Sequence, residues 1–193
     1  MASLISHAVA ALAIGTLFAR PQVPKRVWAI GAVCSMLPDI DVLGFRFGIH
    51  YGDFCGHRGF THSLLFAGVI AALALVVGLP RALSGLSRGW LCLYFFLAAA
   101  SHGILDAMTN GGLGVAFFSP FDNTRYFFPW RPILVSPISL ARFFSGRGVA
   151  VIQSELIWIW IPTGLLAVLI LVLRRVFPQV SPESGNQCEK TPE

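Results

Sequence analysis

Apolar residues in this chain gather into five long blocks, separated by short segments that hold the charges, prolines and glycines. The first block runs from Leu4 to Ala19. The second runs from Val27 to Leu37, and reaches Phe47 if it continues past Pro38. The remaining three run from Ser63 to Leu79, from Trp90 to Ala107 and from Leu156 to Leu173. A helix that crosses a bilayer needs roughly 20 apolar residues, with about 17 as a floor. The third, fourth and fifth blocks meet that length, the first is marginal, and the second needs the segment beyond Pro38. The pattern predicts an all-α integral membrane bundle of about four to five spans.

The long connection before the last span, residues 108 to 154, carries Gly111-Gly112, Ser119-Pro120, Pro129, Pro132 and Ser136-Pro137, which forbid a continuous helix. Its aromatic cluster (Phe117, Phe118, Phe121, Tyr126, Phe127, Phe128 and Trp130) suits the headgroup layer. Ser136-Pro137 reads as an N-cap followed by proline in the first turn of a short amphipathic helix ending near Gly146. Residues 1–177 are expected to form the membrane-embedded domain. Residues 178–193, polar and patternless, are expected to form a disordered tail. The first block has no basic flank before it and a poor cleavage site at Leu17-Phe18-Ala19, so it reads as a retained span.

Composition agrees. Hydrophobic residues make up 55% of the 193 and charged residues only 12%, against about 25% charged in a soluble domain. The net charge of +5 comes from Lys and Arg scattered at block ends, not from a nucleic-acid stripe. Arg20, Lys25 and Arg26 lie between the first two blocks, Arg81 and Arg88 between the third and fourth, and Arg174 and Arg175 close the fifth. Placing all three groups in the cytoplasm gives an outer N-terminus and an inner C-terminus. The four cysteines form no CxxC pair, and neither a disulfide framework nor a thiolate site is expected.

That topology has a consequence for chemistry. His7 interrupts the first block, Asp39 and Asp41 follow the second, and His57 and His62 precede the third. His102 and Asp106 close the fourth. All fall at the same, outer end of the bundle. Ionisable groups near the bilayer centre cost roughly 2.5–3.5 kcal/mol each on insertion scales, so a cluster of them calls for mutual compensation, which a metal ion supplies. His102 and Asp106, at i and i+4, share a helical face. Asp39 and Asp41 are expected where the second helix frays, in an extended segment that turns both to one side. His57 is expected in a loop, Thr61 as an N-cap and His62 in the first turn of the third helix.

Imidazole and carboxylate without thiolate suit zinc best, with manganese or iron as alternatives. Each of these residues also has a plain structural reading, as a buried hydrogen-bonded pair or a helix cap. His50 and Asp53 read as loop residues only. Arg58 either bridges Asp39 or Asp41 or grips an anionic oxygen of a substrate. Arg125 and Arg131 face either phosphate or lipid headgroups, and Glu155 sits where the last span begins.

His57-Arg58-Gly59-Phe60-Thr61-His62-Ser63, with Leu37-Pro38-Asp39-Ile40-Asp41 before it and Ser101-His102-Gly103-Ile104-Leu105-Asp106 after it, resembles the bacterial inner-membrane (LexA-regulated) metal-dependent hydrolase family. The resemblance implies a hydrolase and an inner-membrane location. A more remote likeness, through the His-x-x-x-Asp pair, is to zinc-dependent phospholipase C and P1 nuclease. No second pair of that form is present, so one or two ions are expected rather than three. The resulting expectation is a membrane-bound hydrolase whose ion activates water to attack a phosphoester at the outer interface. Its substrate would be membrane lipid or another amphiphilic, phosphate-containing molecule, with Asp39 or Asp41 as general base and Arg58 stabilising charge. The alternatives are an ion- or proton-coupled transporter and a non-catalytic metal-stabilised scaffold.

Overall fold

The computed structural model describes residues 1–21, 23–79, 86–144 and 146–177; the tail and Arg81, with the rest of residues 80–85, lie outside these. Among the described residues the architecture is helical, with two isolated β-bridges, Thr109 with Ile133 and Val115 with Tyr126, tying down the long connection. The helices are α1 (Leu4–Gly15), α2 (Lys25–Met36), α3 (Leu64–Leu73), α4 (Arg88–Ala107), α5 (Leu140–Phe143), α6 (Gly146–Glu155) and α7 (Ile161–Val176).

Among the described residues, three continuous helical stretches are long and apolar enough to cross a membrane: Lys25–Phe47, Arg88–Ala107 and Gly146–Val176. Leu4–Phe18 and Leu64–Gly78 are shorter apolar helices. Pro38 does not end the second stretch. The chain tightens into a 3₁₀ helix over Leu37–Phe47, where proline in the first turn lacks only an N–H that has no partner there, and it stops at Gly48 with φ of 80°. The third block, expected to be long enough, is helical only to Gly78. Ser136-Pro137 does not open a helix: α5 begins at Leu140, and Gly146 starts α6 rather than ending it. Through a π-helical segment, Leu156–Trp160, α6 runs into α7, so the last stretch begins ten residues ahead of Leu156.

The core forms around α4, which contacts α1, α2 and α3. Tyr94 lies at its centre, fully buried, where glycines let the helices close in. A Cβ on Gly31 would meet the Tyr94 hydroxyl at 2.1 Å, and one on Gly15 would meet Trp28 at 2.7 Å. Small residues at such crossings let helix backbones approach. Ala11, Ala67, Ala71, Phe95, Ala98 and Ala99 complete this apolar layer. At its far end Arg88 donates to the carbonyls of Leu75 and Leu79, and Arg174 donates to those of Leu17 and Ala19. Arg88 and Arg174 thus sit at the end of the bundle away from the His and Asp residues, whereas Arg58 and Arg125 lie among them.

Candidate metal centre

Five segments deliver side chains to one buried cluster. His7 comes from the second turn of α1, which Ser3 caps by accepting from the Ser6 N–H. Asp39 and Asp41 come from the 3₁₀ helix after α2, not from an extended strand. In that tight winding they do not share a face, and they enter different groupings. His57 sits in the loop. His62 ends a 3₁₀ turn, Phe60–His62, and lies just before α3 rather than in its first turn. The cap of α3 is Ser63, whose hydroxyl accepts from the Phe66 N–H at 3.1 Å. Thr61, expected in that role, donates instead to Asp41 Oδ2 at 2.6 Å. His102 and Asp106 lie one turn apart in the last half of α4. None of these seven side chains is more than 8% exposed.

Asp39, His62, His102 and Asp106 present one ligand atom each to a common centre, and Asp41, His57 and His62 form an adjoining group. His62 Nε2 and His102 Nε2 stand 3.0 Å apart. Asp39 Oδ1 lies 3.4 Å from His102 Nε2 and 3.7 Å from His62 Nε2. Asp106 Oδ2 lies 3.6 Å and 4.0 Å from His62 and His102. Tetrahedral ligands at zinc–ligand distances of about 2.0–2.1 Å are about 3.3 Å apart, so these spacings bracket the edges of one coordination shell. His7 stacks on the His102 ring at 3.7 Å between centroids, with its Nε2 3.6 Å from Asp106 Oδ1.

The hydrogen bonds fix which ring atoms are free. His102 Nδ1 donates to the Ser35 carbonyl at 2.7 Å, and a carbonyl can only accept, so the neutral ring turns a lone pair on Nε2 to the centre. His62 Nδ1 lies 3.1 Å from Thr61 Oγ1, whose own proton goes to Asp41, which leaves His62 Nε2 facing the same point. Two imidazole lone pairs 3.0 Å apart repel unless a cation or a proton lies between them. His57 Nδ1 pairs with Asp41 Oδ1 at 2.8 Å, and its buried Nε2 has no hydrogen-bond partner. Both oxygens of Asp39 and both nitrogens of His7 are likewise buried without hydrogen-bond partners.

Charge points the same way. Three buried carboxylates face one buried guanidinium, Arg58, and the Met1 amino group, which lies 4.0 Å from Asp106 Oδ2. Burial opposes a proton on His62, but the carboxylates of Asp106, Asp39 and Asp41 outweigh it and lift its pKa to about 10. Burial lowers the pKa of His57 against the pull of Asp41, which favours the neutral ring. The buried His and Asp groups are positioned to bind a metal ion, and they suit a divalent one.

The other predicted residues are placed as follows. Arg58 bridges neither Asp39 nor Asp41 through its side chain. Its Nε lies 3.0 Å from Asp106 Oδ2, its terminal nitrogens donate to Thr109 Oγ1 and the Gly111 carbonyl at 2.8 Å each, and its backbone N–H donates to Asp41. Arg125 donates to the carbonyls of His57, Tyr51 and Asp53, tying the histidine loop to the long connection. Arg131 lies over the Phe127 ring. Glu155, fully buried inside the last helical stretch, accepts from Ser3 and from the Ser6 hydroxyl and so locks α1 beside the centre. His50 and Asp53 pair with each other at the surface. Thr109 and the Ser35 carbonyl carry no signal in the sequence, because each acts through a contact made only in three dimensions. The motif spacing could have flagged Thr61 alone.

Comparison with known proteins agrees with this architecture. Residues 1–178 match the YdjM inner membrane protein family. The chain belongs to that family. It is 43% identical over 166 residues to the inner membrane protein YbcI of Escherichia coli (strain K12), covering 86% of this chain and 95% of that relative. No solved structure matches. The matched span takes in every residue of the centre, and membership places the chain among bacterial inner membrane proteins, in agreement with its apolar helices.

Proposed function

We propose that this protein is a membrane-bound, metal-dependent hydrolase acting on a phosphoester at the outer membrane–water interface, with zinc as its ion. The observation that carries this reading is the group of His62, His102, Asp39 and Asp106, buried, with ring nitrogens and carboxylate oxygens converging on one point. When bound, a divalent ion supplies Lewis acidity, which activates water near neutral pH and neutralises anionic oxygens.

The protein's own groups divide the remaining work. Asp39 Oδ1 faces the imidazoles, while Oδ2 accepts no hydrogen bond from the protein and is the atom free to take a proton from water. Asp41 is held by His57, Thr61 and the Arg58 backbone N–H, so its role is to orient two histidines. Arg58 holds Asp106 and offers its charge to the centre without reaching solvent. Arg125 and Glu155 act as positioning residues rather than as contacts to substrate.

Transport is a poorer account. A pathway needs polar groups through the membrane depth, whereas the layer between the two ends is Ala11, Ile70, Phe95 and Ala98. Arg88 and Arg174 at the opposite end of the bundle support an outer location. Elemental analysis of detergent-purified protein, together with hydrolysis of bis(p-nitrophenyl) phosphate, tests the reading. Wild type is expected to carry stoichiometric zinc and to turn over, and His62→Ala to lose both. Wild type without metal overturns the proposal.

A further inference from the structure

A groove of about 390 Å³ runs along the bundle beside the metal centre, walled by Leu4 of α1, Val33 of α2, Leu37, Ile40 and Ile138 of the long connection. Its one acidic wall residue is Asp39. Asp39 thus belongs to both the groove and the cluster: it is 8% exposed, and both its oxygens lack hydrogen-bond partners. Val33 and Ile40, by contrast, are about half exposed, at 54% and 55%. Ile138 apart, these walls belong to apolar helices of an inner membrane protein, and Asp39 is common to the groove and the centre.

The volume limits the occupant. The size matches a small-ligand site, and Asp39 is the one lining residue with a charged side chain. The geometry points to the hydrocarbon chain of a phosphate-bearing amphiphile as the occupant, its phosphate drawn to the metal centre and its chain lying against Val33, Ile40 and Ile138. The inference rests on the metal-centre reading and adds to it a substrate class and a route: lateral, from the bilayer, between α1 and α2. A chain shielded there gains from burial at each methylene only relative to water. Selection between lipids therefore falls to the phosphate end.

Photolabelling of the full-length, zinc-loaded protein in phosphatidylcholine nanodiscs tests this. The probe is phosphatidic acid with a diazirine in mid-chain, compared with a diazirine-bearing long-chain alcohol that lacks phosphate. Peptide mapping is expected to find label concentrated on Leu4, 33–40 and Ile138. The excess over Leu165 and Val168, exposed on α7, is expected to be about tenfold for the phosphate probe only, corresponding to about 1.4 kcal/mol. Val33→Trp, or Ile138→Trp on the opposite wall if the first variant loses zinc, is expected to abolish the excess while zinc content stays at the wild-type level. Even labelling of all lipid-facing residues, equal labelling by both probes, or an excess that survives both tryptophans overturns the proposal. Concentrated labelling without hydrolysis of any phosphoester keeps the groove and removes the hydrolase. Hydrolysis with even labelling does the reverse.

Discussion

Arg58 has a φ of 65°, a left-handed conformation that costs a non-glycine residue about 1–2 kcal/mol. The surroundings hold it there: Asp106, Thr109 and Gly111 take the guanidinium and Asp41 takes the backbone N–H. The conformation lets one residue serve two carboxylates in opposite directions. Removing one partner of a buried pair costs about 3–5 kcal/mol. Arg58→Met is therefore expected to lower the unfolding midpoint sharply in chelator, with saturating zinc restoring part of the loss because it replaces the missing charge at Asp106. Thermal unfolding in detergent, with and without chelator, measures both effects. His62 gives a prediction in pH. Its pKa rises from 6.5 to about 10 through its carboxylate neighbours against the cost of burial. In the metal-free protein this pairing contributes stability that is full below pH 6.5 and fades as pH climbs through about 10. A metal must displace that proton, so zinc affinity is expected to rise about tenfold per pH unit over the same window. Competition with a fluorescent chelator across the range would show it, and a flat profile would contradict it.

Elements matter here through how closely they approach. His102 obtains its tautomer from the Ser35 carbonyl, so the centre depends on the spacing between α2 and α4. Gly31 and Tyr94 set that spacing. Gly31→Val forces the helices apart. Overpacking of this kind costs about 1–3 kcal/mol, and zinc content is expected to fall although no ligand has changed. Shortening the opposing side chain in Gly31→Val with Tyr94→Leu is expected to recover zinc, measured by elemental analysis against each single variant. The sequence made α4 legible, since His102 and Asp106 at i, i+4 need only one helix to meet. It misled at Pro38, because a 3₁₀ winding absorbs a proline that an α-helix interior would not. It misled again at Thr61, because two adjacent hydroxyls compete for one cap and only the proximity of Asp41 decides between them.

At the scale of the molecule, the two ends of the bundle differ in kind. One gathers Arg88 and Arg174 on helix-end carbonyls, the other the acid and imidazole cluster. Positive charge favours the cytoplasm, so exposed Cys55, beside the cluster, is expected to face outward. With the other cysteines replaced, a membrane-impermeant maleimide added to intact cells is expected to label Cys55, and not a cysteine placed at Arg26. Labelling of Arg26→Cys alone would invert the topology and move the proposed chemistry to the cytoplasmic face.

What the sequence determined by itself were the quantities that local periodicity and composition control: the apolar blocks, the helical class, the membrane as solvent and the residue types able to bind a metal. Three histidines and three aspartates were visible in short motifs, because residues that lie close in sequence need no tertiary contact to be read together. Tertiary structure alone decided which of these side chains share a centre and which support it. Arg58 turned to Asp106, Arg125 to backbone carbonyls and Glu155 to Ser3 and Ser6 across 149 or more positions of chain. Such partners are chosen by helix crossing and burial, where an unpaired charge must find whatever compensation the packed neighbours offer.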